Sequence, residues 1–442
     1  MAPKRPRSEP VDPFTPQALE ALVDTLVPEI ERHAGRAFVR HPEVRLTEDP
    51  DFVTRVAEEQ AWILARVIPD TPEDYRAELA ERSARALQVG VLGKYGMLDK
   101  VVYLHKDALL GASDPEDGQP LPTSEVLTLV LAHELTHALQ DQVHPLATSI
   151  DRIHDLEHLT AASACWEGLA GYVAQQVAVE RKSEDTFWSL TRMQGWDDEG
   201  LRNPAAWDTW FTYGQGLSFM TDRATGGPDG LWTPIATPPG QTRDLFHADD
   251  WSSAIASPPR DYAAVLKGVE QTLTRGAWEV ANTRIGESTL RGEAVWSPSH
   301  EAQLAELLDA LVWAHGLVLD RPDRGGQIRV LEFRSEAAAD AWMDLQQQQR
   351  QGYNRATSQA LGVAVEVQST PFPDVQADRA LSRVERIPIG GGRHEERHAV
   401  WARRGRIVVS VAGERFRPGM RLGWTAEAVF ERLDASNSSP TP

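Results

Sequence analysis

A single cysteine, Cys165, in 442 residues leaves this chain no internal disulfide, so its fold must rest on apolar burial. A reducing compartment suits such a sequence. Long hydrophobic runs are also missing, which excludes a helical membrane span. Positive charge is scarce beside negative: 45 Lys and Arg against 65 Asp and Glu, a net charge of −20. Binding to nucleic acid needs a basic footprint, and this balance argues against one. The acid surplus fits solubility. The start, Met1-Ala2-Pro3-Lys4-Arg5-Pro6-Arg7, is basic but lacks the apolar segment of a secretory signal. Residues 1–15 are therefore expected to be a disordered tail, and the protein cytoplasmic. No internal repeat is present.

What the chain does contain is helix periodicity in its first half and mixed patterning in its second. Helices are expected at 17–33 (bent or broken by Pro28), 51–68 and 72–89. A β-branched strand follows at Val101–His105. After a Gly/Asp/Pro loop, a helix capped by Thr123 or Ser124 should run to about Gln142, and a second long one from Leu156 to Arg181. A further helix lies within 207–222, and Ala256-Ser257-Pro258-Pro259 reads as a linker. Beyond it come helix 300–315, strand 327–333, helix 335–349, strands near 363–367 and 406–411, and a last helix at 425–433. The expected fold class is α+β. A mainly helical first domain with a small sheet (16–257) precedes a smaller α+β domain of unassigned role (258–434) and a disordered tail (435–442).

The stretch around which this arrangement turns is Leu131-Ala132-His133-Glu134-Leu135-Thr136-His137-Ala138-Leu139. Residues four apart share a helix face, so His133 and His137 can offer ring nitrogens to one ion, with Glu134 beside them to take a proton from water activated there. Apolar residues at 127, 130, 131, 135, 138 and 139 give this helix a face that can hold the ligands in place. Downstream, Cys165-Trp166-Glu167-Gly168-Leu169-Ala170-Gly171 carries two glycines inside a helix. Each costs about 1 kcal/mol relative to alanine. Close approach to the motif helix, bringing Glu167 to the ion, would explain them. Glu157, twenty residues after His137, is a second candidate third ligand. About 15 Å of helix separates the two glutamates, so only one can bind, and the glycines favour Glu167. Two imidazoles and a carboxylate suit Zn²⁺ with one coordination position left for water, the pattern of a catalytic site. Cys165 reads as a small buried hydrophobe, and His144, His154 and His158 as surface or supporting polar groups. Strand Val101–His105 could offer an edge to an extended peptide.

These residues resemble the gluzincin metallopeptidases, which combine His-Glu-x-x-His with a downstream glutamate. The helix segment Trp166-Glu167-Gly168-Leu169-Ala170 is similar to the segment that supplies the third zinc ligand in aminopeptidase N-like enzymes. Tyr213-Gly214-Gln215-Gly216 is similar to their Tyr-x-x-Gly, where the tyrosine steadies the tetrahedral intermediate. The wider order of motifs, ending in Pro238-Pro239 through Thr242 to His247, looks like a poorly characterised bacterial gluzincin-like group. The resemblance covers about Val101 to Trp251. It implies a zinc-dependent peptidase acting on peptides or proteins, with His133, His137 and Glu167 as ligands and Glu134 as general base. Tyr213 or His247 is expected to serve the oxyanion. The amine-gripping Gly-x-Met-Glu-Asn segment of aminopeptidases is missing, so their specificity is not implied. Gly171 stands where thermolysin-like enzymes carry an aspartate supporting a zinc histidine. The alternative function is an inactive zinc scaffold acting as an interaction module.

The same literal pattern recurs at His394-Glu395-Glu396-Arg397-His398, after three glycines and before an apparent strand. In an extended chain its histidines would sit about 13 Å apart, too far to share an ion. A solvated loop or hairpin arm is expected there.

Overall fold

The computed structural model describes residues 12–47, 49–69, 73–74, 76–78, 80–81, 91–193, 195, 206–248, 261–274, 279–294, 300–321, 324–361, 364–373, 375–390, 393–414 and 420–438. The chain is mixed α+β. No helix among these residues is long and apolar enough to cross a membrane.

The motif helix, Thr123–Val143, is the middle of the first half. Its sequence suggests one apolar face, yet it is buried on nearly every side: Leu127, Leu131, Leu135 and Leu139 on one stripe, Val126, Leu129, Ala132 and Ala138 around it. The reason is its neighbours. It packs on helix Pro16–Ala34, on the long helix Leu156–Arg181 (here the glutamate helix) and on a small sheet. Its N-cap is Pro122, with no side-chain cap from the expected Thr123 or Ser124. Helix Pro16–Ala34 is not broken at Pro28 and ends at Gly35 in the left-handed conformation, φ 66°. The expected helix 72–89 falls largely outside the described residues, as does the linker 256–259.

The small sheet has three strands, β1 (Glu43–Thr47), β2 (Gly93–Gly96) and β3 (Val101–His105), in the order β1-β3-β2. β3 is parallel to β1 and antiparallel to β2. The expectation that Val101–His105 offers a peptide-binding edge is therefore wrong. Its β-branched residues place it centrally, with both backbone edges paired and Val102 and Leu104 fully buried.

In the second half, β4 (Glu279–Arg284), β5 (Leu311–Arg321), β6 (Arg324–Phe333), β7 (Glu366–Pro371), β8 (Arg379–Gly390), β9 (Arg393–Arg404) and β10 (Ile407–Glu414) form one antiparallel sheet, ordered β4-β5-β6-β10-β9-β8-β7. Alternation along each strand separates two cores. Val330 and Val409 face helices Tyr262–Thr274 and Met420–Ser438. Leu331 and Val408 face helices Glu301–Ala310 and Glu336–Leu361.

Three expectations are corrected here. Residues 311–315 are not helical: they open β5, where pairing with β6 and β4 outweighs the local helix pattern. The helix beginning at Glu336 continues to Leu361, past the expected end at 349. The last helix spans Met420–Ser438, so 435–438 are not a tail; Asp434 near its end pairs with Arg404 of β9.

Candidate metal centre

His133 and His137 lie one helical turn apart on the motif helix, with ring centroids 4.8 Å apart and planes at 79°. Glu167 reaches them from the glutamate helix. Its Oε2 is 3.0 Å from His133 Nε2 and 3.2 Å from His137 Nε2, and the two nitrogens are 3.2 Å from each other. Donors on a tetrahedral zinc, each about 2.0–2.1 Å from the ion, are separated by about 3.3 Å. The three atoms thus lie close to three corners of one coordination tetrahedron. Among the described residues these three side chains form the cluster able to hold an ion. Two imidazoles with one carboxylate match zinc in softness and number, so the residues fit the group.

Electrostatics within the cluster run the same way. Burial alone would lower the pKa of His137, but the Glu167 charge and hydrogen bond, with a smaller effect of Glu134, push it up to about 9. Burial would raise Glu167, yet His137 and His133 hold it well below the usual carboxylate range. Glu167 is thus favoured as the anion beside the two rings.

Glu134 is buried, and its Oε2 accepts the Tyr95 backbone N–H of β2 at 2.6 Å. β2 comes this close because Gly93 has no side chain: a Cβ there would lie 2.9 Å from Val130 Cγ1 and 3.2 Å from Glu134 Cγ. The hairpin β2–β3 is then pinned to the motif helix by Asp141, which accepts from Tyr95 Oη at 2.7 Å and pairs with Lys100 Nζ at 2.8 Å. Lys100 itself sits at φ 64°.

Tyr213 is also brought to the cluster, its ring centroid 6.3 Å from that of His133. Burial first, then the charges of Glu167 and Glu134, push its hydroxyl well above its usual pKa, so it stays a donor. It rides on a single π-helical turn, Trp210–Gln215, between helical segments Trp207–Thr209 and Gly216–Ala224. Such wide turns often occur where a helix must offset one side chain. The glycines of the glutamate helix have a different role from the one expected. Gly168 faces the Gly216 backbone, on the Tyr213 segment, and not the motif helix; Gly171 meets only Leu217 at 3.7 Å. Gly168 lies about 100° around the helix from Glu167, so it looks toward a third helix.

Other expected residues lie elsewhere. Glu157 is buried away from the cluster, accepting from Thr242 N at 2.6 Å and Thr242 Oγ1 at 2.8 Å, and burial raises it to about 7. His247 pairs with Glu287 Oε1 at 3.2 Å and is not among the cluster residues, although Gln215 ties the preceding Leu245 carbonyl to the Tyr213 turn at 2.7 Å. His158 is buried, contrary to a surface role, and burial lowers it to about 4; His154 is exposed and His144 half-buried near Trp232. Cys165 is buried in the core. The second His-Glu-x-x-His lies on β9, with His394 opposite Pro388 and His398 opposite Val384. It is a hairpin arm, but His398 is buried and not solvated.

Sequence reasoning missed Tyr95, Asp141 and Gln140. The last two lie four and three residues after His137, where a helix returns to the same face, so spacing could have found them. Tyr95 had no such signal. Comparison of the chain with family models, with curated proteins and with solved structures finds no match, so its chemistry rests on these residues.

Proposed function

We propose that the first half of this chain is a zinc-dependent hydrolase of peptide bonds, of gluzincin type. The observation that carries this reading is the near-tetrahedral triangle of His133 Nε2, His137 Nε2 and Glu167 Oε2, with the buried carboxylate of Glu134 alongside. Zinc held by these atoms would polarise the scissile carbonyl and lower the pKa of water toward about 7. Glu134 takes up the proton released from the attacking water and returns it to the leaving amine. The Tyr95 amide fixes one oxygen of that carboxylate, which leaves the other for proton transfer. Tyr213, kept protonated, donates a hydrogen bond to the developing oxyanion. The substrate is a peptide or protein, and among the described residues β2 is the outer strand of the small sheet beside Glu134.

Metal analysis of the purified protein beside Glu167→Ala and Glu157→Ala tests the assignment. One zinc per wild-type chain, lost in Glu167→Ala and kept in Glu157→Ala, is expected. A wild type that takes up no zinc would refute the reading. Wild type that holds zinc but leaves a mixed peptide library uncut would favour the inactive scaffold.

A further inference from the structure

A metal-bound histidine needs its second ring nitrogen held, and the resemblance supplies no residue for that task in this chain. Gln140 meets the requirement. His137 Nδ1 is 2.9 Å from Gln140 Oε1, and Gln140 Nε2 donates to the Trp166 carbonyl at 2.7 Å. Gln140 is fully buried, so no solvent competes for either bond.

We infer that Gln140 is a positioning residue that holds His137 in its metal-binding tautomer and locks the histidine's helix to the segment carrying Glu167. This rests on the metal-centre reading above. A peptide carbonyl only accepts hydrogen bonds. The Trp166 carbonyl therefore dictates which end of the amide it meets: the NH₂ group turns to it, and the amide oxygen must turn to His137. Flipping the amide would set two oxygens against each other. An amide oxygen in turn only accepts, so Nδ1 must carry a proton. With the ring proton fixed at Nδ1, the lone pair that binds a metal belongs to Nε2, the atom facing His133 and Glu167. Trp166 immediately precedes Glu167, so the same side chain that orients one ligand also sets the height of the helix that delivers another. Gly171 stands where a carboxylate would be sought by resemblance; the support comes from the motif helix, three residues beyond the ligand it serves.

The test compares zinc affinity, by competition with a fluorescent chelator, for wild type, Gln140→Met and Gln140→Glu. Each protein is labelled with ¹⁵N-histidine to observe the His137 Nδ1 proton in the zinc-loaded state. Methionine keeps the length and removes the strong acceptor; glutamate keeps the acceptor. Zinc affinity about 10- to 100-fold weaker in Gln140→Met is expected. Gln140→Glu keeps the acceptor for Nδ1 but sets an oxygen against the Trp166 carbonyl, so it should retain a slowly exchanging Nδ1 proton while binding zinc more weakly than wild type. A folded Gln140→Met that binds zinc within twofold of wild type would overturn the inference while leaving the metal centre intact. If Gln140→Met does not fold, a Gln140→Glu protein lacking the protected Nδ1 proton overturns it equally. Wild type that binds no zinc removes the metal centre itself.

Discussion

Gly168 and Gly216 lie face to face. A Cβ built on Gly168 would be closer than 3.0 Å to the Gly216 carbonyl, and one on Gly216 would strike the Ala164 carbonyl. This backbone contact brings the turn bearing Tyr213 to the helix bearing Glu167. Gly168→Ala should therefore force the two apart, lowering stability by about 1–3 kcal/mol. Gly171→Ala, three residues along, would place its Cβ in ordinary contact with Leu217 at 3.7 Å and should be neutral or stabilising by up to about 1 kcal/mol. Thermal melts of the two variants beside wild type check the contrast.

Glu134→Gln should keep zinc bound and cut peptide turnover by about 10²–10⁴-fold, because amide and carboxylate match in shape but only the carboxylate takes a proton. Metal content and cleavage rate measured on the same preparation decide it. Full turnover in this variant would place the base elsewhere.

The metal-free protein should show a pH dependence set by the cluster. His137 is raised from 6.5 to about 9, so its contribution to stability is complete below 6.5 and disappears as pH rises through about 9. Glu167 is lowered from 4.5, so its contribution is present above 4.5 and disappears as pH falls below that. Denaturant titrations of the chelator-treated protein should thus weaken toward pH 9.5, and zinc should remove most of that weakening.

Glu157 has the opposite sign among carboxylates. Raised from 4.5 to about 7 by burial, it favours the folded state while protonated and costs stability as pH rises from 4.5 through 7. Glu157→Gln keeps the acceptor for Thr242 and should flatten that decline, so the variant melts above wild type at pH 8 and close to it at pH 4.5. Gly286→Ala should destabilise, since its Cβ would collide with the Glu157 carboxylate.

Local regularities were legible in the sequence and long-range pairings were not. His133 and His137 come together by helix geometry alone; of the two glycines beside Glu167, Gly168 marks a close approach, though to a different partner from the expected one, and Gly171 marks none. Helix periodicity cannot say that β3 lies between two other strands, because strand order follows from pairing across more than fifty residues between β1 and β3. The same limit hid Tyr95, whose amide serves a carboxylate thirty-nine positions away. Residues 311–315 read as helix because their partners in β4 and β6 are distant in sequence or belong to a later turn. His247 was drawn in by motif order, whereas its carboxylate partner, Glu287, comes from the second half.

The bond from Tyr95 to Glu134 makes the carboxylate depend on a different part of the chain from the imidazoles beside it. The imidazoles are neighbours through the winding of one helix, whereas the carboxylate is held by a hairpin that lies outside that helix. On the peptidase reading, a change that loosens β2 would misaim the general base while leaving the three candidate metal ligands where they are.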